Sequence, residues 1–464
     1  MDKIDVVPPF VKKFDFRGIY GKAITDADAY YLGKALIKTI PLKKILLGWD
    51  SRESSKNLAL NFINGLRGES VEIFYMDKCP IDYIAAGAEA FDFDLSIMFT
   101  GSHSPWYWTG LLMHTKGGDS VQGDTVKTII GHYYEASKEP YEKSVVDLSG
   151  FKNFYTELET AYEQKLKTLL PLGRIKELKV LVDLGDGSGS RSLSLLEKLL
   201  PQVKFARIND RGVYDGSSTH IADPSEVDNM KELMIDTKKG GYDCGFAFDS
   251  DADRVLGVDE EGNYLNGSLL GSAMIESFTT LGFRDKLFGY SVDCGPAISN
   301  SSQSFPVPVG RSVLRRMIRD DTLDFGVENV GHFYAKDFFM TDSGTFSIAV
   351  ILHWMSINGK LSGLKEKYPD GEREQIFIPV PPEEKDNTKH LYEEINKKYK
   401  NEKKIEVDGL RYEFVEENHI VSWYALRHSG YEQIEKFYFG SLRNDDFIAM
   451  KKTFEALFEA RRIK

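Results

Sequence analysis

Apolar and polar positions repeat along the chain with two periods, one helical and one strand-like, and the two alternate. From Asp26 to Thr39, Ala29, Leu32 and Leu36 recur at helical spacing behind a candidate cap at Thr25, which predicts a helix. Lys44-Ile45-Leu46-Leu47-Gly48 is a short apolar run of the buried-strand kind. Ser54 to Leu66 then reads as helix, Val71 to Tyr75 as strand, Asp82 to Ala90 as helix and Leu95 to Thr100 as strand. The pattern restarts at the strand Leu178 to Asp183, followed by a Gly-rich turn from Gly185 to Gly189 and a helix from Arg191. Val203 to Ile208, Glu226 to Lys239 and Cys244 to Phe248 add strand, helix and strand. A third round covers 260 to 370, with a helix near Ser268 to Thr280 and a strand near Leu287 to Val292. Strands alternating with helices predict mostly parallel sheets, whose ligands sit at the carboxyl ends of the strands.

The texture changes at Lys367-Tyr368-Pro369-Asp370-Gly371 and again at Pro379-Val380-Pro381-Pro382, which is linker chemistry. Beyond it, two helices are expected to bracket strand-like runs at Leu410 to Val415, Ile420 to Leu426 and Ile434 to Phe439, a small α+β module. The expected division is 1–152, 153–259 and 260–371 as α/β domains and 372–464 as an α+β domain.

Composition acts mainly by exclusion. A net charge of −12 over 464 residues argues against nucleic acid or an anionic membrane as partner, while leaving room for a local basic pocket. The longest apolar stretch, Phe346 to Met355, contains His353 and is too short to span a bilayer. Three scattered cysteines, Cys79, Cys244 and Cys294, make neither a disulfide framework nor a zinc site. Met1-Asp2-Lys3-Ile4-Asp5 does not read as a secretory signal, so a soluble cytoplasmic protein, monomer or homodimer, is expected.

Four segments bear chemistry. Thr100-Gly101-Ser102-His103-Ser104-Pro105 directly follows a buried strand, placing Ser102 like a nucleophile or phosphate carrier, or else forming a polar turn. Asp249-Ser250-Asp251-Ala252-Asp253-Arg254 follows another strand. Its three alternating carboxylates repel one another unless a divalent cation neutralises them, and an all-oxygen set suits Mg²⁺, Mn²⁺ or Ca²⁺, with a solvated acidic turn as the alternative. A calcium hand is rejected, because its sixth position needs Gly and here is Arg254, and the strand-like run Val255 to Asp259 follows. Arg254 suits phosphate oxygens through its planar fork. Gly326-Val327-Glu328-Asn329-Val330-Gly331-His332 sets a carboxylate and an imidazole four apart, a pair able to grip hydroxyls or move a proton. Arg427-His428-Ser429-Gly430-Tyr431-Glu432 offers phosphate donors or, equally, a hairpin turn.

In this order and at these separations the four segments resemble the α-D-phosphohexomutase family, which includes phosphomannomutase/phosphoglucomutase. They are similar to its T-A-S-H-N-P, D-G-D-A-D-R, G-G-E-x-S-G-H and R-x-S-G-T-E loops, with support from Arg17-Gly18 and from Gly48-Trp49-Asp50-Ser51-Arg52-Glu53-Ser54-Ser55. The resemblance implies three similar α/β domains with mixed, mostly parallel sheets and a C-terminal α+β domain around a central cleft. It implies that Ser102 carries a phosphoryl group and that Asp249, Asp251 and Asp253 hold Mg²⁺ with a phosphoserine oxygen. Arg17, His103 and Arg254 would line the reaction centre, and His332 would bind substrate or help proton transfer. Glu328 would bind sugar hydroxyls, and Arg427, Ser429, Gly430 and Tyr431 the phosphate that is not reacting.

The implied activity interconverts hexose 1- and 6-phosphates of mannose or glucose through a hexose 1,6-bisphosphate. Alternatives are phosphoglucosamine mutase and a sugar-phosphate-binding descendant without turnover. The chain departs from the family pattern at Leu112, where a lysine is usual, and at Val327, Val330, Tyr431, Gln433 and Lys436. If the stretch after the serine loop is a strand, Leu112, His114 and Lys116 share a face, offering His114 or Lys116 in the lysine's stead. The stretch from Asp293 to Val309 is short for the family's crossover helix.

Overall fold

The computed structural model describes residues 7–12, 15–282, 286–301, 304–379, 393, 403–428 and 434–462. The chain divides into two compact units, one of residues 1–265 and 330–361, the other of residues 266–329 and 362–464.

Among the described residues the first unit includes two large sheets with helices and a short antiparallel pair, Phe333–Ala335 with Thr341–Asp342. In one, Lys44–Trp49 lies parallel to both Glu72–Lys78 and Leu95–Phe99. Trp108–Thr115 then runs antiparallel to Leu95–Phe99 and carries Phe16–Ile19 at the edge. The helix Asp26–Thr39 begins as its sequence predicts: Thr25 and Asp28 form a reciprocal capping box, satisfying backbone donors that would otherwise be orphaned. Its apolar stripe buries Leu32 and Leu36 in a core shared with Ile45, Leu47, Leu58, Phe62 and Ile97. In the other sheet, Leu178–Asp183 is parallel to Val203–Ile208 and Cys244–Phe248, and Val255–Asp259 returns antiparallel. The apolar stretch around Phe346 is a core element, lying within the buried helix Gly344–Asn358. No helix among the described residues is long and apolar enough to cross a membrane.

The second unit contains three parallel strands, with Phe288–Ser291 between Ser304–Val307 and Phe325–Val327. It also has an antiparallel sheet of Glu372–Pro379, Ile434–Ser441, His419–His428, Leu410–Glu416 and Lys403–Ile405, in that order. Tyr424, Phe437, Phe439 and Phe454 pack between this sheet and the final helix Asn444–Arg462.

Two expectations are corrected. The helix placed from Glu226 starts at Lys231, after a 3₁₀ turn at Val227–Met230, because Asn229 bonds back to Glu226 and Asp223 and closes a turn there. Between the two linker-like stretches lies the strand Glu372–Pro379, an edge strand whose polar residues disguise it. The helix expected before Leu410 lies outside the described residues. Among the described residues between Cys294 and Val307 there is one four-residue helix, Pro296–Ser299, in keeping with the short crossover.

Candidate functional site

Lys44–Trp49 and Leu95–Phe99 are parallel neighbours with Trp49 opposite Phe99. Asp50 and Thr100 therefore leave the sheet side by side, and the Asp50 amide donates to the Phe99 carbonyl at 3.0 Å. The serine loop starts there. Ser102 is buried and has a φ of +48°, the left-handed region that few non-glycine residues occupy. A Cβ on Gly101 beside it would stand 2.5 Å from the Trp108 carbonyl and 2.9 Å from the Arg52 guanidinium carbon, so a side chain there would force its neighbours to shift. Ser102 Oγ is 3.2 Å from His103 Nδ1, a hydroxyl–imidazole pair suited to proton exchange.

The second sheet supplies the acids. Cys244–Phe248 ends at Asp249, and Asp249, Asp251 and Asp253 are all buried, with one ligand oxygen from each lying within 4.8 Å of the others. Arg254 N donates to Asp249 Oδ1 at 3.2 Å, and Thr100 Oγ1 is 3.0 Å from Asp251 Oδ2. Among the described residues, no group donates a hydrogen bond to Asp249 Oδ2 or to Asp251 Oδ1. Burial, reinforced by the Asp251 carboxylate, pushes Asp249 well above the ordinary carboxylate range. Buried acceptor oxygens facing one another in an all-carboxylate set fit a hard divalent cation such as Mg²⁺ or Mn²⁺ and disfavour zinc. The Gly-rich turn after Leu178–Asp183 backs this loop: Ser188 N and Oγ each donate to the Ser250 carbonyl at 2.9 Å. A Cβ on Gly187 would stand 2.6 Å from that same oxygen.

The aspartates have a cationic and an imidazole neighbour. Arg254 Nε donates to His332 Nε2 at 3.0 Å. His332 Nδ1 lies 2.8 Å from Asp342 Oδ2 and 3.6 Å from Asp253 Oδ1. Behind them Tyr162 OH donates to Asp82 Oδ2 at 2.6 Å, and burial raises the Asp82 carboxyl to about 7. A separate polar group, Asp183, His220 and Glu232, is tied together by Asn209 and by a His220–Asp183 contact of 2.9 Å. Burial alone would lower the His220 pKa, but the Asp183 carboxylate outweighs it and raises His220 to about 9.

Of the other expected site residues, Arg17 sits on the edge strand opposite Gly110 and pairs with Asp15 at 2.7 Å. Leu112 lies within Trp108–Thr115, opposite Met98. Neither proposed stand-in for the family lysine is placed like it. His114 is buried opposite Ser96, farther from the serine loop, and Lys116 lies past the strand's far end, pairing with exposed Asp92 at 2.5 Å. In the second unit, Glu328 is buried and its Oε1 accepts from Gly310 N at 2.7 Å, at the head of the helix Arg311–Arg319. Arg427 lies near the end of His419–His428 and its Nε donates to Asp408 at 2.8 Å. Ser429, Gly430, Tyr431 and Gln433 lie outside the described residues.

Sequence reasoning gave no role to Asp50, Arg52, Ser250 or Asp342. The signals for Arg52 and Asp50 were their place in the supporting segment Gly48 to Ser55 and charge at the exit of an apolar strand, where buried charges must be paired.

Comparison with known proteins covers the serine, aspartate and Glu328 loops. Residues 10–140, 160–262 and 298–370, together about two thirds of the chain, match the models of phosphoglucomutase/phosphomannomutase alpha/beta/alpha domains I, II and III. A phosphomannomutase of Methanocaldococcus jannaschii is 27% identical over 458 residues, covering 96% of each chain. A probable phosphoglucosamine mutase of Methanosphaera stadtmanae is 27% identical over 446 residues, covering 92% of this chain and 93% of its own. A solved phosphoglucomutase/phosphomannomutase family protein of Burkholderia thailandensis has the same fold, with a TM-score of 0.79 at 20% identity and 98% coverage of both chains.

Proposed function

The chain belongs to the phosphoglucomutase/phosphomannomutase family, and from that premise we propose that it is a phosphohexomutase interconverting hexose 1-phosphate and hexose 6-phosphate, with mannose or glucose as the sugar. The observation that carries the proposal is the pairing, in one compact unit, of a buried left-handed serine hydrogen-bonded to histidine with three buried carboxylates, of which Asp251 is linked to it through Thr100.

Asp249, Asp251 and Asp253, with an oxygen of the Ser102 phosphoryl group, would hold Mg²⁺, whose charge when bound offsets that of the phosphoryl oxygens. Phosphoryl transfer passes through a loose, charge-rich transition state, so positioning and fixed cations dominate its catalysis. In the first half-reaction the bond between phosphorus and Ser102 Oγ breaks as one forms to the free hydroxyl of the hexose monophosphate. The hydroxyl's proton leaves to a base, for which His332 is the candidate, and Ser102 Oγ regains one from His103, 3.2 Å away. The resulting 1,6-bisphosphate then returns its other phosphoryl group to Ser102, restoring the starting enzyme with the sugar isomerised.

Arg254 and Arg17 would face the transferring group. Glu328 would bind the sugar's hydroxyls, while Arg427, Ser429, Gly430 and Tyr431 would hold the distal phosphate. The four-domain division at 152, 259 and 371 is part of the same proposal. A second substrate, glucosamine phosphate, is kept because a relative of equal identity is a probable phosphoglucosamine mutase.

The test is ³¹P NMR of α-mannose 1-phosphate, and then of the glucose and glucosamine analogues, with Mg²⁺ and a trace of hexose 1,6-bisphosphate. Conversion to a 6-phosphate that is lost in Ser102→Ala is expected. Conversion of none of the three would leave the sugar-phosphate binder instead.

A further inference from the structure

Arg52 is a fully buried guanidinium, and its partners single it out. Nη2 donates to the Ser102 carbonyl at 2.8 Å and to the Ser104 carbonyl at 2.5 Å. Nη1 donates to Ser250 Oγ at 2.7 Å and to the Asp50 carboxylate. Ser250 Oγ in turn donates to the same Ser102 carbonyl at 2.6 Å. The amide of Ser102 is held as well, donating to Thr100 Oγ1 at 2.7 Å. That Thr100 hydroxyl lies 2.7 Å from Asp50 Oδ2 and 3.0 Å from Asp251 Oδ2. Tyr214 covers the guanidinium face at 4.7 Å.

Both backbone polar groups of Ser102 are thus fixed by one network. Through Ser250 and Thr100 the network reaches the loop of the three aspartates. An L-residue stays in the left-handed region only where its surroundings over-determine it. Here a planar fork of donors does so, a geometry that a lysine ammonium cannot reproduce. The register of the two parallel strands explains why this position is available, since residues 50–52 and 100–102 leave the sheet side by side.

We propose that Arg52, with Asp50 and Ser250 as its partners, is a positioning residue that holds Ser102 in its left-handed backbone and couples it to the aspartate loop, so that phosphoryl transfer at Ser102 and cation affinity at Asp249, Asp251 and Asp253 change together. This deepens the phosphohexomutase reading and rests on it. Arg52 touches no reacting atom; it acts through the loop it grips.

The experiment compares the full-length protein with Arg52→Lys and Ser250→Ala. Three quantities are followed: single-turnover phosphoryl transfer from hexose 1,6-bisphosphate by intact mass, Mn²⁺ affinity by calorimetry without substrate, and the melting curve. Arg52→Lys is expected to slow transfer about 100-fold at saturating hexose 1,6-bisphosphate, because a small misplacement of a reacting group costs rate. Its Mn²⁺ affinity is expected to fall in parallel, by about threefold or more, and Ser250→Ala is expected to show the same two losses, smaller in size. A folded Arg52→Lys protein with transfer and Mn²⁺ affinity unchanged would reduce Arg52 to a structural residue. Should Arg52→Lys fail to fold, Ser250→Ala decides alone, and unchanged values there overturn the coupling. If the unsubstituted protein accepts no phosphoryl group, the phosphohexomutase reading falls. Mn²⁺ affinity then judges the network, whose grip on the aspartate loop stands only if the variants lose it.

Discussion

The two compact units carry their candidate residues in different ways. In the first, Ser102, Thr100, Asp50, Arg52, Ser250 and Asp251 are buried and bonded to one another across loops from two sheets. In the second, Glu328 caps the helix Arg311–Arg319 through Gly310, and Arg427 pairs with the partly exposed Asp408. A centre built by mutual hydrogen bonding tolerates little change, because losing one member leaves buried partners unsatisfied. The departures from the family pattern follow this division in large part. Val327, Tyr431, Gln433 and Lys436 belong to the second unit, whereas Ser102 and the aspartates are intact. Leu112 and Val330 are the exceptions in the first unit.

The comparison predicts a graded set of effects. The largest is Asp251→Asn, which should cut kcat by about 1000-fold while KM stays within about threefold, since the carboxylates act mainly in the transition state. Steady-state assays of 6-phosphate formation with saturating Mg²⁺ would read it, and a rise in KM with kcat preserved would move Asp251 out of the reaction centre. Arg427→Ala comes next. Losing a charged hydrogen-bond donor to a phosphate should raise KM about 10- to 100-fold with kcat little altered. The effect should shrink for a sugar lacking the distal phosphate, and a neutral outcome would remove the phosphate loop from the site.

The smallest effect on catalysis concerns the separate cluster of Asp183, His220 and Glu232, which bears on stability instead. The folded His220 pKa, about 9, exceeds the ordinary imidazole value of 6.5. Its stabilising contribution is therefore complete below pH 6.5 and is lost as pH rises through 9, amounting to about 3 kcal/mol at most. Melting curves at pH 6, 7.5 and 9 should show this loss in the native protein and a flatter profile in His220→Gln. Turnover at neutral pH should be similar in both; a matching loss of kcat would tie the cluster to the reaction centre.

Much of this architecture could be read from the sequence. The strands Leu178–Asp183, Val203–Ile208 and Cys244–Phe248 fall where their apolar runs predict, and the helix Asp26–Thr39 matches residue for residue, because burial and capping are written locally. The edge strand Glu372–Pro379 escaped notice, since an edge needs only one paired side and tolerates charge on the other. The serine and aspartate loops were visible because each follows a strand with unusual residues. The Arg52 network was not: its partners lie 50 and 198 residues away in the chain, and only the strand register and the packing of the two sheets bring them together. For the same reason the strand face suggested His114 and Lys116 in place of the missing lysine, although the strand carries both away from the loop.

The central claim is that Ser102 carries the phosphoryl group. The most direct test incubates the protein with Mg²⁺ and hexose 1,6-bisphosphate, measures its intact mass and maps the modified peptide. The account predicts a gain of one phosphoryl group on Ser102, absent from Ser102→Ala and discharged when hexose monophosphate is added. A protein that takes up no phosphoryl group, or carries it on another residue, would contradict it.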